Sequence, residues 1–458
     1  MKHVQKKYLV IAFLLFASTF LSNCIKHDQV LDSGSTSTDN ILYSLKATTA
    51  PTVQAIGGTA WNGTIEPVWN NAQKLTTTVT VPDLGNGTFT GYVGNSTSVS
   101  IRSLYDANNV YFLVEWDEPQ ANAKSALWYF NPTMHLWTQE VTNYTTPVAS
   151  TVNAAGTNYN VNSDGTMRPT AAQDQFAMMF NVNNSCVGFA TKSCYVACHV
   201  NSSFGSGVTP ASGGVMSTNG PTEVLDVWRA RMLQIVNENQ LNDCFIDDGA
   251  SVGAGMSGTV DKNEVHGDWQ LHNGSSATVP VALQSAQAAD GGFSNSQTLK
   301  MNNVAKTSVK VPLWVIPSGT YNNSAILLKD TLATGAALKV TAVDSVGVLT
   351  LSNGTKIDPN TAASGTAYQQ VGSYDGAKCI PGSIVDAYTG SRGDVTANAF
   401  FTGTGWRLLL KRALKTSDTT YDTDFSSLVD QNFGIGLMYN GADNQHAIMP
   451  GLLLRFVK

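Results

Sequence analysis

The chain has 458 residues, of which 42% are hydrophobic and only 13% are charged, and its formal net charge is −6. This length and hydrophobic content allow a substantial core, whereas the acidic balance and the lack of a basic stripe exclude nucleic acid as a partner. The 40 glycines and the low charge content are typical of exported, β-rich proteins with many turns.

Residues 1–23 have the pattern of a bacterial export signal. Lysines at positions 2, 6 and 7 precede an apolar run, Leu9 to Leu21, that is too short to span a bilayer comfortably. The following cysteine, Cys24, completes a sequence that resembles the lipobox of bacterial lipoproteins, with Asn23 in place of the usual small residue. We predict a lipid anchor at Cys24 and a polar tether over residues 24–50. Cleavage as an ordinary signal peptide is the alternative.

The lipid anchor predicts that the rest of the chain, residues 51–458, is a body held at a membrane surface, on the periplasmic side or outside the cell. Short segments of this body are rich in β-branched and aromatic residues and lie between turn signals, which predicts strands. No long amphipathic helix and no repeat of fixed period is visible in the sequence. We therefore predict an all-β fold, an antiparallel β-sandwich whose two sheets bury one face each. The predicted strands cover residues 75–81, 109–116, 175–182, 224–229, 406–411, 433–439 and 452–457.

Residues 243–390 separate the early strands from the late ones. This stretch is rich in Gly, Ser and Asn and carries shorter strand signals. We predict that it is a large, loop-rich β insertion within one domain. Inside it, residues 337–351 predict a hairpin that turns at Asp344 and Ser345.

The segment SCYVACHV, residues 193–200, carries the clearest chemical motif. Cys194 and Cys198 are separated by three residues, and His199 directly follows the second cysteine. Haem attachment needs two thiols that add to the vinyl groups of the porphyrin and an imidazole that reaches the iron from the same peptide. The usual spacing is C-x-x-C-H, and one more residue between the cysteines costs little closure entropy. The motif predicts one covalently bound haem c; a local Cys194–Cys198 disulfide and a zinc site are the alternatives.

The other cysteines do not form an even set. If Cys24 is lipidated and two cysteines hold haem, three thiols remain, at Cys186, Cys244 and Cys379. Three thiols allow one disulfide, for instance between Cys244 and Cys379, but the spacing does not determine the pairing.

Several further segments follow one another in a characteristic order: WNGT (61–64), WNNA (69–72), SLYDANNVYFLVEWDEP (103–119), DQFAMMFNV (174–182), VLDVWRA (224–230), GSRGDVTANA (390–399), GWRLLLKRALKT (405–416) and FGIGLMYNGADNQHAI (433–448). In order and spacing they resemble the ethylbenzene dehydrogenase-related haem-binding family, which includes the cytochrome subunits of some respiratory molybdenum enzymes. The resemblance extends from about residue 50 to the C-terminus and is weakest in the insertion.

The resemblance implies a β-sandwich like those of DOMON domains and carbohydrate-binding modules, with a haem at one end and an electron-carrier role. In b-type members of the family, a Met in the loop before the VLDVW-like strand and a Lys near the last strands bind the iron. Here Met216 stands at the Met position and His446 at the Lys position. We predict His199 and His446 as the axial ligands, and His199 with Met216 as the second choice. Packing of Met216 and a surface-loop position for His446 are the alternatives.

Together these patterns predict an exported, lipid-anchored c-type cytochrome domain that transfers electrons and catalyses nothing alone. The sequence has no molybdenum, flavin or nucleotide motif, so any substrate chemistry would belong to a redox partner, either another cytochrome or a molybdenum oxidoreductase. The rival hypothesis is a non-haem surface lipoprotein whose sandwich binds carbohydrate or another small ligand. The cysteine–histidine motif distinguishes the two, because a sugar-binding module does not need it.

Overall fold

The computed structural model describes most of the body of the chain. The described residues are 36–37, 39–82, 93–119, 121, 123, 127–131, 134–139, 141–142, 169–170, 174–197, 218, 222–247, 293–302, 308–317, 327–328, 335–359, 380–385, 387–388, 390–438 and 446–458.

Strands dominate the described residues. In chain order they are β1 Thr36–Ser37, β2 Ile41–Lys46, β3 Lys74–Thr80, β4 Ser96–Tyr105, β5 Asn109–Asp117, β6 Trp128–Asn131, β7 Leu136–Gln139, β8 Val141–Thr142, β9 Pro169–Thr170, β10 Gln175–Asn181, β11 Leu225–Arg231, β12 Asn242–Ile246, β13 Phe293–Ser294, β14 Gln297–Asn302, β15 Ser308–Val311, β16 Trp314–Val315, β17 Leu327–Leu328, β18 Leu338–Asp344, β19 Leu349–Leu351, β20 Lys356–Ile357, β21 Ser383–Val385, β22 Thr396–Phe401, β23 Gly405–Ala413, β24 Gln431–Met438 and β25 Ala447–Val457.

Helices are short in the described part of the chain. The two α-helices are α1, Phe189–Lys192, and α2, Met232–Glu238; 3-10 turns occur at Pro67–Asn71, Val182–Asn184, Ser193–Val196 and Gly390–Gly393. No helix among the described residues is long and apolar enough to cross a membrane.

One long, bent sheet forms the body of the fold. Its strand order is β12-β11-β10-β24-β25-β2-β4-β5-β23-β22, with β3 paired to both β4 and β25 and β1 paired to β3. The sheet folds back on itself, so that strands distant in its order face each other. Phe112 of β5 packs against Phe180 of β10, with ring centroids 6.4 Å apart, and against Trp228 of β11, with ring centroids 5.7 Å apart. Two layers therefore enclose one apolar core, and the predicted all-β sandwich is confirmed.

Alternation along the strands separates an inner face from an outer face in each layer. On β10, Phe176, Met178 and Phe180 point into the main core, whereas Met179 belongs to a separate apolar cluster on the other side of the sheet. This is the period of two that a strand imposes on its side chains. The outer face of β10, β11 and β24 is the part of the fold that carries the candidate site.

The seven predicted strands coincide with strands of the sandwich, with end points that differ by at most five residues. The tether predicted over residues 24–50 is wrong at its C-terminal end, because Ile41–Lys46 form β2. This strand lies parallel to β25 on one side and to β4 on the other. Its Leu42 and Ser44 are fully buried. The alternating pattern of β2 is short and follows a Ser- and Asp-rich stretch, which obscured it in the sequence.

The insertion begins later in the chain than the predicted residue 243, and its core also includes residues that precede the predicted range. Asn242–Ile246 form β12, the edge strand next to β11 in the main sheet, so the insertion begins after β12. The hairpin β6–β7 packs into the core of the insertion: Trp128 Nε1 donates to the Asn295 carbonyl and Trp137 Nε1 to the Gly347 carbonyl, both at 2.8 Å. The predicted hairpin is confirmed as β18 paired with β19.

The turn of that hairpin depends on a glycine. Gly347 has φ +85°, and a Cβ at this position would overlap the buried ring of Phe130. Gly354, in the next turn, has nearly the same φ, +84°, but a Cβ there meets no described atom within 4 Å. Comparing alanine substitutions at the two positions therefore distinguishes the cost of backbone strain from the cost of steric overlap with Phe130.

We predict that Gly354→Ala lowers the free energy of unfolding by about 1–2 kcal/mol, the cost of a left-handed alanine. Gly347→Ala should cost about 1–3 kcal/mol more, because the methyl group also displaces Phe130. Urea unfolding followed by tryptophan fluorescence measures both, since Trp128 and Trp137 lie in the affected core. Equal destabilisation by the two substitutions would contradict the packing against Phe130.

Candidate functional site

The segment after β10 covers the outer face of the sheet. It runs through the 3-10 turn Val182–Asn184, α1 and the 3-10 turn Ser193–Val196. Phe189, Val196 and Ala197 are fully buried, and they form one cluster with Leu225 and other apolar residues of β10, β11 and β12. Burial of these apolar side chains holds the segment against the sheet.

Hydrogen bonds of buried side chains fix the start of this segment. The amide of Asn181 bonds to both backbone groups of Cys186: its Oδ1 accepts from the Cys186 N–H at 2.8 Å and its Nδ2 donates to the Cys186 carbonyl at 3.0 Å. The Glu223 carboxylate accepts from the Val187 N–H at 3.0 Å. The chain then reverses at Gly188, whose φ is +81°. These contacts direct the chain back across the sheet.

Ser193 attaches the segment to β24, immediately before Cys194. Its hydroxyl donates to the Phe433 carbonyl at 3.3 Å and accepts from the Gly451 N–H at 3.0 Å. Gly434 permits this approach, because a Cβ at Gly434 would lie 2.5 Å from the Cβ of Ser193. Ser193 has φ 44°, a strained value that these contacts maintain. Cys194 is thereby placed over the outer face of the sheet.

His446 reaches the same face from the other end of the chain. It directly precedes β25 and is half-buried. A Cβ at Gly436 would lie 3.4 Å from Cδ2 of the His446 ring, so a larger residue at 436 would crowd the imidazole. Because Gly434 and Gly436 have no side chains, the outer face of β24 has space for Ser193 at the first position and for the His446 ring at the second.

Cys194 and His446 line one small cleft, which we call the cysteine–histidine cleft. It encloses about 60 Å³ and is mostly apolar. Its other lining residues come from β10, β11 and β24: Ala177, Met179, Val227, Arg229, Gly434, Ile435, Gly436 and Met438.

The three described cysteines near the cleft are free thiols, of which Cys186 and Cys244 are buried and Cys194 is partly buried. Burial raises the pKa of Cys194 to about 12, so the group is a protonated thiol at neutral pH. Burial, and then the negative charge of Glu223, raise the pKa of Cys186 to about 12; its Sγ lies 3.9 Å from Glu223 Oε2. Cys244 is a buried thiol whose Sγ donates to the Asn242 carbonyl at 3.7 Å.

The remaining predicted site residues lie outside the described part of the chain. Cys24, Cys198, His199, Met216 and the disulfide candidate Cys379 belong to this group. The described segment ends at residue 197. The next described residue is Thr218, whose N–H donates to the Asp247 carbonyl and whose hydroxyl donates to the Glu223 carbonyl, both at 2.9 Å. Of the predicted haem residues, the structure brings together Cys194 and His446.

The described residues fit one wall of a haem site. A thiol and an imidazole, the two donor types that a c-type haem requires, face one apolar cleft whose floor lacks side chains at Gly434 and Gly436. The enclosed volume is smaller than a porphyrin, so the described residues would supply only part of the enclosure of a haem.

The sequence analysis missed Gly434 and Gly436 as site residues, although glycine at alternate positions of a strand indicates close approach of another group.

A second, polar groove lies on the outer face of the other layer. It has a volume of about 330 Å³ and is lined by residues of β3, β4, β5 and β23, among them Thr76, Ser98 and Ser100. Glu115 crosses it and pairs with Arg102 and Arg407, each at 3.1 Å. We call it the polar groove.

Comparisons with known proteins were consistent with the sequence resemblance. A family model described as ethylbenzene dehydrogenase matches residues 66–448, a range that includes Cys194 and His446. No curated protein matches the chain. Among solved structures, a carbohydrate binding module family 9 (CBM9) from Caldicellulosiruptor kristjanssonii in complex with cellotriose is similar, at 8% identity over 91% of this chain and 93% of that chain. The TM-score of this match is 0.26.

We predict that Cys194 in the native, haem-free chain reacts with iodoacetamide at pH 7.5 at least about tenfold more slowly than in the unfolded chain, because its thiol is desolvated and protonated. Peptide mass spectrometry after timed alkylation measures the rate at each cysteine. Guanidinium-unfolded protein at the same pH is the reference. Similar rates in both states would show that the segment does not cover Cys194.

Proposed function

Because the chain belongs to the ethylbenzene dehydrogenase family, which relates it to oxidoreductase-associated proteins, we propose that it is an electron-transfer protein with one covalently bound haem c. The observation that carries the proposal is the meeting of Cys194 and His446 in the cysteine–histidine cleft. The two residues lie far apart in the chain. Gly434 leaves room for Ser193, which directly precedes Cys194, and Gly436 leaves room for the ring of His446.

In this proposal, Cys194 and Cys198 attach the haem. Each thiol would add across one vinyl group, with the sulfur bonding to one carbon and the thiol hydrogen going to the other, so the addition would consume no oxidant. His199 and His446 would be the residues that hold the iron. Met216 is the alternative to His446, and a His/Met pair would give a higher reduction potential than two imidazoles.

The rest of the cleft would tune the cofactor. When bound, a haem supplies reversible one-electron oxidation of its iron. Ala177, Met179 and Val227 present an apolar wall that excludes water. Arg229 adds a positive charge to the lining, and its Nε donates to Gln175 Oε1 at 3.1 Å. A nearby cation disfavours the more positive ferric state and therefore raises the reduction potential.

The proposal includes a location and a partner class. A lipid at Cys24 would hold the sandwich at the periplasmic side of a membrane or at the cell surface. There it would exchange electrons with another cytochrome or with a molybdenum oxidoreductase. On this proposal the chain is an electron carrier and not itself an enzyme.

The rival function, binding of a carbohydrate or another small polar ligand, has the polar groove as its location. The hydroxyl and charged side chains that line the groove suit a polar ligand. Trp116 and Trp406 also line it, but each is only 3% exposed, so neither offers a ring face on which a sugar would stack. We therefore favour the haem protein.

We predict that the protein, matured together with cytochrome c assembly proteins, retains haem on a denaturing gel. Replacing both Cys194 and Cys198 by Ala should abolish the haem stain, because no thioether bond can form. Cys186→Ala is the matched control: it removes a neighbouring buried thiol outside the motif and should keep the stain. Wild-type protein without covalent haem would overturn the proposal and leave the rival.

We predict that His446→Ala converts the low-spin absorption spectrum of the reduced and oxidised protein to a high-spin one, because the iron loses an axial ligand. Added imidazole should restore the low-spin spectrum. His135→Asn is the control, since His135 is exposed in the β6–β7 turn and its φ of 56° is tolerated by Asn. If His446→Ala leaves the spectrum unchanged and Met216→Leu alters it, Met216 is the ligand.

A further inference from the structure

Strand β11 carries a second group of functional side chains on its inner face. Asp226 of β11 and Asp243 of β12 lie with Asp422, from the loop between β23 and β24, so that one carboxylate oxygen of each is within 4.8 Å of the others. All three residues are less than one-tenth exposed. Carboxylates rarely gather in the interior of a protein without a counter-charge.

Strand pairing brings the first two aspartates together. Asp226 stands opposite Phe245, and Trp228 stands opposite Asp243, so all four side chains share one face of the β11–β12 pair. The loop that carries Asp422 lies against the same face, because the rings of Tyr421 and Phe245 stack with centroids 3.6 Å apart. The position of each carboxylate is thus determined by the fold.

Positive charge near the group is insufficient to balance it. Arg412 is fully buried, and its Nη1 pairs with Asp226 Oδ2 at 2.9 Å. Asp394 places a fourth carboxyl group next to Asp243 and Asp422. Four carboxyl groups therefore face one guanidinium group, that of Arg412, so the ionised cluster carries excess negative charge that a divalent cation would offset.

Several oxygens of the group have no hydrogen-bond donor among the described residues. Both carboxylate oxygens of Asp243 are in this state, as are Asp226 Oδ1, Asp394 Oδ1 and the Thr423 hydroxyl. Asp243 is 7% exposed, so water reaches it poorly. A buried carboxylate without a hydrogen-bond donor or counter-charge is costly.

We propose that Asp226, Asp243 and Asp422, with Asp394 beside them, bind one Ca²⁺ ion. The donor set consists of oxygens, which hard cations prefer. Ca²⁺ binds oxygens at about 2.3–2.6 Å, so ligands on opposite sides of the ion are about 4.6–5.2 Å apart, which accommodates the observed spacing. Mg²⁺ needs shorter bonds and usually keeps several waters, which suits a buried group of protein oxygens less well.

A cation here would fasten the loop after β23 to the edge of the sheet. Asp422 and Thr423 belong to that loop, and the Thr423 N–H donates to Asp226 Oδ2 at 2.9 Å. The ion would lie on the inner face of β11, whereas Val227 and Arg229 of the same strand line the cysteine–histidine cleft on the outer face. The proposal does not depend on haem and is tested separately.

Calorimetry and metal analysis of the full mature chain test the proposal. After dialysis and gel filtration, mass spectrometry of the elements should find about one Ca²⁺ per chain. The midpoint of thermal unfolding, Tm, should be higher in 1 mM CaCl₂ than in EDTA by roughly 3–8 °C, since a ligand that binds only the folded state stabilises it by mass action. MgCl₂ should produce a smaller rise.

Two variants and a control locate the site. Asp243→Asn should raise Tm in EDTA, because it removes a buried unpaired charge, and should abolish both the Ca²⁺-dependent rise and the bound Ca²⁺. Asp422→Asn, which changes the loop and leaves the strands intact, should also abolish the rise. Asp430→Asn is the control: Asp430 is exposed and pairs with Arg455, so the rise should remain.

The proposal is overturned if the wild-type chain has equal Tm values in EDTA and CaCl₂ and contains no Ca²⁺. It is also overturned if both Asp243→Asn and Asp422→Asn retain the full Ca²⁺-dependent rise, because the ion would then bind elsewhere. The wild-type measurements decide the first point even if a variant does not fold.

Discussion

The alternation of side chains along β10, β11 and β24 is the constraint on which the rest of the structure depends. Inner residues such as Phe180 and Trp228 build the core between the two layers, and burial of their apolar surface stabilises the sandwich. The outer residues are then available for other purposes. On β24 they include Gly434 and Gly436, on β10 they include Ala177, and together they leave the shallow space that Cys194 and His446 both line.

The site is built from segments that only the fold brings together. Ser193 connects the segment after β10 to β24. His446, which directly precedes β25, has its ring next to Gly436 of β24. On the inner face, Asp226 and Asp243 become neighbours through the register of β11 and β12. One sheet therefore offers a soft, thiol- and imidazole-containing face and a hard, oxygen-containing face, which suit different metals.

Local pattern was sufficient to predict the strands with strong apolar or β-branched runs, such as β5 and β10. It missed β4, whose Ser and Arg residues weaken the apolar signal, and β2, which follows a polar stretch. The motif at Cys194 indicated the chemistry, but the cleft depends on Gly434 and Gly436, whose neighbours are remote in sequence. The grouping of Asp226, Asp243 and Asp422 was beyond sequence reasoning, because strand register and a loop position create it.

The positions of Gly434 and Gly436 on β24 determine which parts of the structure a substitution there would affect. Their absent side chains affect only the outer face, so the contacts of Phe433, Ile435 and Leu437 in the core do not depend on them. Larger residues at positions 434 and 436 would fill the cleft yet leave the inner packing of the sandwich in place. On the proposed function, substitutions at these two positions would therefore remove the haem site and displace Ser193, while the core between the two layers stays packed.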